Sequence, residues 1–216
     1  MGPAVRWFTR PELVGRHHVP TAGPVILAPN HLAEVDSLVL SSVSPRRPTF
    51  VAKSEYFRSS GVRGLVIRWV CTATGQVPVD RHGGSRSTAA LTAAQGILSA
   101  GGVWAIYPEG TRSPDGRLYR GHTGVARVAL AVPGVTLIPV AISGTREVDA
   151  PGRRGWRRGK VRVEFGNPLD LSQYGDDPAD WRRLTGHLIA AVRDLTGQPY
   201  INRYPTREER EARDAA

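Results

Sequence analysis

Segments with strand-like patterns alternate with segments of helical periodicity along most of the chain. Strands are predicted for PVILAP (24–29), PTFVAK (48–53), GQVPVDR (75–81), VWAIYP (103–108), VTLIPVAI (135–142) and KVRVEFG (160–166). Helices are predicted for SLVLSSV after Asp36, SEYFRSSGVRGLVIRWV (54–70), SRSTAALTAAQGILSA (85–100), HTGVARVALAV (122–132) and DDPADWRRLTGHLIAAVRDL (176–195). This alternation is typical of an α/β fold in which helices flank a mainly parallel or mixed central sheet.

The proportions of residue types fit one domain with a substantial core. Of the 216 residues, 40% are hydrophobic and 22% are charged, which is typical of a folded rather than a disordered chain. We divide the single domain into an N-terminal basic and aromatic segment (1–23), a motif-bearing core (24–145), a C-terminal strand and helix (146–200) and a charged tail (201–216). The charged composition of the tail predicts a solvated helix or a frayed end.

Polar residues follow four of the predicted strands at the point where each strand ends. Asn30 and His31 follow the first strand, Lys53 ends the second, Asp80 and Arg81 follow the third, and Glu109 through Arg112 follow the fourth. In an open parallel sheet, ligand sites gather at the carboxyl ends of the strands. We therefore expect these four clusters to lie at one edge of the sheet.

A histidine and an aspartate in NHLAEVD (30–36) stand five positions apart. On a regular helix such residues point about 140° apart, so their side chains would diverge. A strand-to-helix turn would instead let Asp36 accept a hydrogen bond from His31, which would fix the tautomer and leave the other ring nitrogen as a base for a hydroxyl proton. The alternative, which chance favours for this spacing alone, is a capping aspartate beside an unrelated loop histidine.

The polar segment YPEGTRS (107–113) combines groups that suit a phosphorylated ligand. Gly110 lets backbone approach a ligand closely, Thr111 offers a hydroxyl, and Arg112 supplies a planar fork for phosphate. Glu109 cannot bind phosphate directly, so we expect it to orient Arg112 or a substrate hydroxyl. The alternative is a polar turn that caps a helix, with Glu109 and Arg112 as a surface ion pair.

The charge of the chain indicates an anionic partner. The formal net charge is +10, and only two of the 29 basic residues, Lys53 and Lys160, are lysine. Nucleic acid, a membrane surface and a phosphorylated substrate are all compatible with this charge. The basic residues are scattered and do not alternate with aromatic ones, which argues against a nucleic-acid-binding module.

Metal and disulfide chemistry have little support in the sequence. The six histidines show neither H-x-x-x-H nor H-E-x-x-H spacing, so we expect no metal site and disfavour a metal hydrolase. With Cys71 as the one cysteine, no internal disulfide can form.

No segment is predicted to cross a membrane, and no signal peptide is expected. The longest apolar stretch, GLVIRWVCTATG (64–75), is too short and contains Arg68. Trp7 and Phe8, flanked by Arg6 and Arg10, suit a shallow anchor at an anionic interface. The alternative, about equally supported, is that both aromatic residues pack against the domain.

Four separated motifs together carry a resemblance to a known family. NHLAEVD, VPVDR, YPEGTRS and VTLIPVAI have the order and approximate spacing of the four blocks of the glycerolipid acyltransferase family, which includes the 1-acyl-sn-glycerol-3-phosphate (lysophosphatidic acid) acyltransferases. The resemblance covers roughly residues 20–145. It implies a glycerol-3-phosphate acyltransferase-like fold.

The resemblance also implies a role for each matching residue. His31 resembles the general base of the family, Asp36 its orienting partner, Arg81 and Arg112 its phosphate-binding residues, Glu109, Gly110 and Thr111 its acceptor block, and Lys53 a lysine often found between the first two blocks. No acyl-enzyme is implied, so Cys71 receives no catalytic role. His122 stands near a position where many relatives have lysine, so any positive charge there depends on pH.

The family implies transfer of a fatty acyl chain from acyl-CoA or acyl carrier protein to the free sn-2 hydroxyl of lysophosphatidic acid. The product would be phosphatidic acid for phospholipid biosynthesis, and no cofactor is implied beyond the acyl donor. Glycerol 3-phosphate and other lysophospholipids remain alternative acceptors, and the oligomeric state stays open. The expected location is peripheral, on an anionic membrane surface at the cytoplasmic face of the cell membrane.

Overall fold

A computed structural model describes residues 2–53, 76–79, 86–153 and 155–215 of the chain. The predicted helix over 54–70 and Cys71 lie outside the described residues.

The described helices and strands follow the predicted alternation. The helices are α1 (Gly2–Thr9), α2 (Asp36–Val43), α3 (Arg86–Ser99), α4 (Gly124–Ala131), α5 (Thr145–Val148), α6 (Pro178–Thr196) and α7 (Arg207–Ala215). The strands are β1 (Glu12–Val14), β2 (Val25–Pro29), β3 (Pro48–Lys53), β4 (Gln76–Val79), β5 (Val103–Ala105), β6 (Leu118–Tyr119), β7 (Thr136–Ser143), β8 (Arg162–Phe165) and β9 (Tyr200–Ile201). The sequence pattern missed the short elements α1, β1, α5, β6 and β9, because two to eight residues carry too little periodicity.

A seven-stranded sheet forms the centre of the described part of the chain. Its strand order is β1-β8-β7-β2-β5-β3-β4, and β6 and β9 form a separate parallel pair. All neighbouring strands in the large sheet run parallel except β7 and β8, which pair antiparallel. The expectation of a mainly parallel or mixed sheet is therefore confirmed, and the sheet is mixed.

Both faces of the sheet are covered by helices, as a fully buried central strand requires. All five residues of β2 are buried, and they alternate between the two faces. Val25 and Leu27 pack in one core with residues of α1 and α2. Ile26 and Ala28 pack in a second core with residues of α3, α4 and α6.

The strand directions bring the polar clusters to one edge. The strands β2, β5, β3 and β4 are consecutive neighbours and run parallel, so their carboxyl ends lie on the same side of the sheet. The segments after β2 and β5, which carry His31 and Glu109, therefore start next to one another. The convergence predicted from the sequence is confirmed for the described strands.

Among the described residues, no helix has the length and apolar character needed to cross a membrane.

Candidate active site

The turn between β2 and α2 brings together the two residues that the spacing had left in question. Asp36 is the first residue of α2, and His31 lies two residues beyond the end of β2. The His31 Nδ1 atom lies 2.9 Å from the Asp36 Oδ2 atom. The predicted strand-to-helix turn and its histidine–carboxylate hydrogen bond are thus confirmed, and Nε2 is the ring nitrogen left for proton transfer.

One oxygen of Asp36 organises the whole turn. Besides His31, Oδ2 accepts hydrogen bonds from the backbone N–H groups of Leu32 at 2.6 Å and Ala33 at 2.9 Å. The carboxyl group is fully buried, and its Oδ1 atom has no hydrogen-bond partner among the described residues. Because three donors converge on one oxygen, Asp36 both builds the turn and orients the imidazole.

A tyrosine that the sequence reasoning had not singled out lies against the histidine. The rings of Tyr107 and His31 are stacked, with centroids 3.7 Å apart and planes 12° apart. The Tyr107 hydroxyl lies 2.8 Å from the Ser37 hydroxyl. Burial first, and the nearby Asp36 carboxylate second, raise the pKa of Tyr107 above its usual range. Tyr107 therefore stays a neutral phenol, and its ring limits rotation of the imidazole.

The YPEGTRS segment anchors the peptide groups of His31 from the neighbouring strand. The backbone N–H of His31 donates to Glu109 Oε1 at 3.0 Å, and the backbone N–H of Ser113 donates to the His31 carbonyl at 2.8 Å. The other Glu109 oxygen accepts from the backbone N–H of Tyr119 at 2.9 Å. Glu109 therefore orients His31. The expectation that it orients Arg112 was wrong, because Glu109 is buried and backbone N–H groups donate to both of its oxygens. The alternative expectation, that it orients a substrate hydroxyl, stays a prediction.

Burial also changes the acidity of Glu109. Removal from water raises its pKa from 4.5 to about 7, although the two backbone hydrogen bonds oppose the shift. Because the folded state binds the proton more tightly than the unfolded chain does, the contribution to stability is complete below pH 4.5 and is lost as the pH rises through about 7.

Replacing Glu109 by glutamine is expected to remove this pH dependence. The glutamine amide has one oxygen acceptor, whereas the backbone N–H groups of His31 and Tyr119 each need an acceptor. One of them loses its partner, so the variant is less stable than wild type at pH 4.5. This difference in unfolding free energy should shrink by on the order of 3 kcal/mol by pH 8, as urea unfolding across the range can measure. Glu211→Gln, an exposed change on α7, is the control. A difference that is constant with pH would contradict the assignment.

The Arg112 guanidinium forms ion pairs with two carboxylates that were not predicted from the sequence. Its Nη1 atom lies 3.0 Å from Glu34 and its Nη2 atom lies 3.0 Å from Asp214 on α7. Next to Asp214, Arg213 is buried and donates hydrogen bonds to the Arg112 carbonyl and the Thr111 hydroxyl. The tail was predicted to be a solvated helix or a frayed end; it is a helix, but its last turn packs into the candidate site.

Gly110 adopts the backbone conformation that its residue type suits. Its φ is +72°, and a Cβ atom there would lie 2.9 Å from the His122 ring. Burial, together with the charge of Arg182, lowers the pKa of His122 below 6.5. His122 is therefore uncharged at neutral pH.

Of two further predicted site residues, the structure gives a backbone position for one and does not describe the other. Lys53 is the last residue of β3, at the sheet edge that carries His31. Arg81, with Asp80, lies outside the described residues. Their roles stay predictions.

A cavity of about 610 Å³ opens next to the histidine. Its apolar lining consists of Phe50, Val51, Ala90, Leu91, Trp104, Ala105 and Ile106. Its polar lining consists of His31, Ser37, Tyr107, Gly110, Thr111, Arg112, Arg213 and Asp214. The imidazole thus lines a cavity with one apolar set of side chains, the apolar wall, and one polar set that includes two arginines, the arginine-rich wall. No group of three or more His, Cys, Asp or Glu side chains within the described ranges is arranged to hold a metal ion.

The fold and the His–Asp turn define an α/β protein with a histidine–aspartate pair at the carboxyl edge of its sheet. Comparisons with known proteins place this fold in a family. The model of the Acyltransferase family matches residues 10–143. This match covers more than half of the chain, and the protein belongs to the acyltransferase family.

Curated relatives resemble the chain over most of its length. A 1-acyl-sn-glycerol-3-phosphate acyltransferase from Arabidopsis thaliana chloroplasts is 29% identical over 168 residues, covering 77% of this chain and 45% of the relative. The human 1-acyl-sn-glycerol-3-phosphate acyltransferase alpha is 26% identical over 191 residues, covering 87% and 65%. The Haemophilus influenzae 1-acyl-sn-glycerol-3-phosphate acyltransferase is 28% identical over 189 residues, covering 82% and 74%. The chain spans only about half to two thirds of the length of the first two.

A solved structure shares the fold. The crystal structure of the 1-acyl-sn-glycerophosphate acyltransferase from Thermotoga maritima matches with a TM-score of 0.70 and 24% sequence identity. The match covers 89% of this chain and 75% of that one.

Proposed function

We propose that the protein transfers a fatty acyl chain from acyl-CoA or acyl carrier protein to the sn-2 hydroxyl of lysophosphatidic acid, giving phosphatidic acid. The observation that carries the proposal is the His31–Asp36 pair, which opens on a cavity with an apolar wall and an arginine-rich wall. A lysophospholipid and a fatty acyl thioester each combine a long apolar chain with a phosphorylated part. The relatives are named as 1-acyl-sn-glycerol-3-phosphate acyltransferases, which agrees with this substrate class.

The chemistry needs one base and no acyl-enzyme. His31 Nε2 takes the proton of the acceptor hydroxyl while the hydroxyl oxygen attacks the thioester carbonyl carbon. Asp36 stabilises the imidazolium that forms. The tetrahedral intermediate then collapses, the carbon–sulfur bond breaks, and the thiolate leaves and receives the proton from His31. The acyl donor is a co-substrate, and no metal or cofactor takes part.

The two walls of the cavity suit the two ends of the substrates. The apolar wall, from β3, β5 and α3, suits a fatty acyl chain. Arg112, near the carboxyl end of β5, suits the acceptor phosphate because its planar guanidinium can bind two phosphate oxygens. We assign Thr111 and Gly110 to the same acceptor region, and Arg81 and Lys53 to phosphate binding at the adjoining strand ends.

Replacing Arg112 by alanine should separate acceptor binding from chemistry. We expect the KM for lysophosphatidic acid to rise about tenfold or more, because a charge-assisted hydrogen-bonding partner is lost. The KM for acyl-CoA should change little. The measurement is thiol release with purified protein and a panel of lysophosphatidic acid, glycerol 3-phosphate and lysophosphatidylcholine. Arg210→Gln on α7 is the control, and an unchanged KM for every phosphorylated acceptor would remove Arg112 from this role.

We propose that the protein works at an anionic membrane surface, peripherally and on the cytoplasmic face. Trp7 on α1 is 54% exposed and Trp156 is 38% exposed, and Phe8 contacts both rings. The Arg158 guanidinium lies 4.1 Å from the centre of the Trp7 ring. Exposed indole rings beside arginine suit the boundary between lipid headgroups and acyl chains.

Vesicle binding tests the membrane proposal. The protein should cosediment with vesicles that contain anionic phosphatidylglycerol, and added salt should weaken binding because part of the attraction is electrostatic. The double variant Trp7→Ser and Trp156→Ser should bind at least about tenfold more weakly. Binding that is equal in wild type and double variant would contradict this surface.

A further inference from the structure

The last turn of α7 and the EGTR loop (109–112) bring two arginines to one carboxylate group. Asp214 Oδ1 accepts from Arg112 Nη2 at 3.0 Å, from Arg213 Nη2 at 2.8 Å and from Arg213 Nε at 3.0 Å. Two guanidinium groups from distant parts of the chain therefore meet on one carboxylate oxygen. Both arginines line the cavity that holds His31.

The two arginines are the buried part of this arrangement, and the carboxylate is the exposed part. The Arg213 side chain is 6% exposed and the Arg112 side chain 28%, whereas Asp214 is 53% exposed. Arg213 is held independently of Asp214, because its Nη1 atom donates to the Arg112 carbonyl. Removing the carboxylate would therefore leave the Arg213 guanidinium in place.

The charges fit an exchange of carboxylate for phosphate. Arg112 and Arg213 carry two positive charges, and they are balanced by the exposed carboxylates of Glu34 and Asp214. A phosphomonoester carries about −1.5 to −2 charges near pH 7 and offers three acceptor oxygens. One phosphate could thus replace both carboxylates, and the Thr111 hydroxyl beside Arg213 adds a further donor.

We propose that Arg213 is a second arginine of the acceptor phosphate site and that Asp214 occupies this site until a phosphomonoester displaces it. The proposal rests on the function proposed above and extends its acceptor site to a residue of the C-terminal helix. Asp214 then competes with the phosphate, whereas Arg213 and Arg112 together bind the phosphate. If these contacts only held α7 against the EGTR loop, Asp214 would not compete with phosphate and Arg213 would not bind it.

The chain just before α7 is held against the domain, because the Arg120 N–H donates to the Arg203 carbonyl at 3.2 Å and the Tyr204 ring stacks on His122. The helix therefore need not detach for the exchange, and its start is capped. Thr206 and Glu209 form a reciprocal capping box, with Thr206 N donating to the Glu209 carboxylate at 2.8 Å and Glu209 N donating to the Thr206 hydroxyl at 3.1 Å. Arg203 also pairs with Glu209 at 2.6 Å. Only the exposed side chains of Asp214 and Glu34 have to turn outward.

Direct anion binding tests the proposal without relying on catalysis. Glycerol 3-phosphate is titrated into the full chain at constant ionic strength, and its dissociation constant is measured by calorimetry for wild type, Asp214→Asn and Arg213→Gln. We expect Asp214→Asn to bind about threefold more tightly, because an exposed competing ion pair is removed. Arg213→Gln should bind about tenfold more weakly. Glu211→Gln and Arg210→Gln on the same helix should match wild type.

A folding effect is separated from a binding effect by the melting temperature and a conservative variant. Arg213→Lys keeps the charge, so it should bind more tightly than Arg213→Gln at a similar melting temperature. Equal dissociation constants in wild type, Asp214→Asn and Arg213→Gln would overturn the proposal, even if acyl transfer is observed. If the constants shift as expected but no acceptor is acylated, the anion site stands and the proposed function fails.

Discussion

Replacing His31 by alanine is expected to lower kcat for acyl transfer by about 10²- to 10⁴-fold, the range that a positioned general base contributes. His31 Nδ1 is held by Asp36 and its ring is stacked on Tyr107, so the remaining nitrogen is oriented for one proton transfer. The KM values should change little, because the residue acts on the reacting hydroxyl. Steady-state thiol release from acyl-CoA, with lysophosphatidic acid as acceptor, measures the effect.

A second histidine provides the matched control. His187 is exposed on α6, where its Nδ1 atom contacts the Tyr174 hydroxyl. His187→Gln should retain the wild-type kcat, and circular dichroism should show that His31→Ala remains folded. A folded His31→Ala protein with wild-type kcat on every productive acceptor would show that His31 is not the base.

Replacing Asp36 by asparagine is expected to lower kcat by about 10²-fold or more. All three hydrogen bonds of Asp36 go to Oδ2, whereas Oδ1 has no partner among the described residues. An asparagine can therefore place its oxygen at Oδ2 and its NH₂ at Oδ1. The turn and the histidine tautomer are kept while the negative charge that stabilises the imidazolium is lost.

The Asp36→Ala variant should reveal how much Asp36 contributes to the stability of the turn. It removes the acceptor for Leu32 N, Ala33 N and the imidazole at once, at a cost of about 3 kcal/mol in unfolding free energy. Asp36→Asn should cost much less. Kinetics and urea unfolding on both variants separate the two roles. A wild-type kcat in Asp36→Asn would show that the charge does not assist the base.

Much of the fold could be predicted because strand and helix patterns are local. Strand β2 lies within the apolar PVILAP, and α2 begins at Asp36 as expected. The convergence of the loops followed from the parallel direction of four strands, which alternation with helices already indicated. The antiparallel pairing of β7 with β8 did not follow, since strand patterns do not encode direction. The division of the chain into four segments of one domain stays a prediction.

The contact between His31 and Asp36 could be predicted because both residues lie in one short turn. The role of Glu109 could not be predicted, because it depends on burial and on the backbone N–H groups of His31 and Tyr119, which lie in other segments of the chain. The stacking of Tyr107 on His31 likewise depends on the order of β2 and β5 in the sheet.

Arg213 lies about a hundred positions from Arg112, and no local pattern joins them. A signal for the helix that carries it was nevertheless present. Thr206 and Glu209 have the T-x-x-E spacing of a capping box, which marks an ordered helix start rather than a frayed tail. Its alternating charges suggested a solvated surface, and they gave no indication that one arginine points inward.

In the proposed mechanism, His31 and Asp36 drive direct transfer of an acyl chain to a phosphorylated acceptor. A single-turnover experiment distinguishes this from transfer through an acyl-enzyme. Excess purified protein is mixed with labelled long-chain acyl-CoA, with and without lysophosphatidic acid, and the quenched protein and lipids are analysed by mass spectrometry. We predict phosphatidic acid and free CoA only when the acceptor is present, and no acylated protein in either case. A covalently acylated protein, or no transfer to any phosphorylated acceptor, would contradict this mechanism.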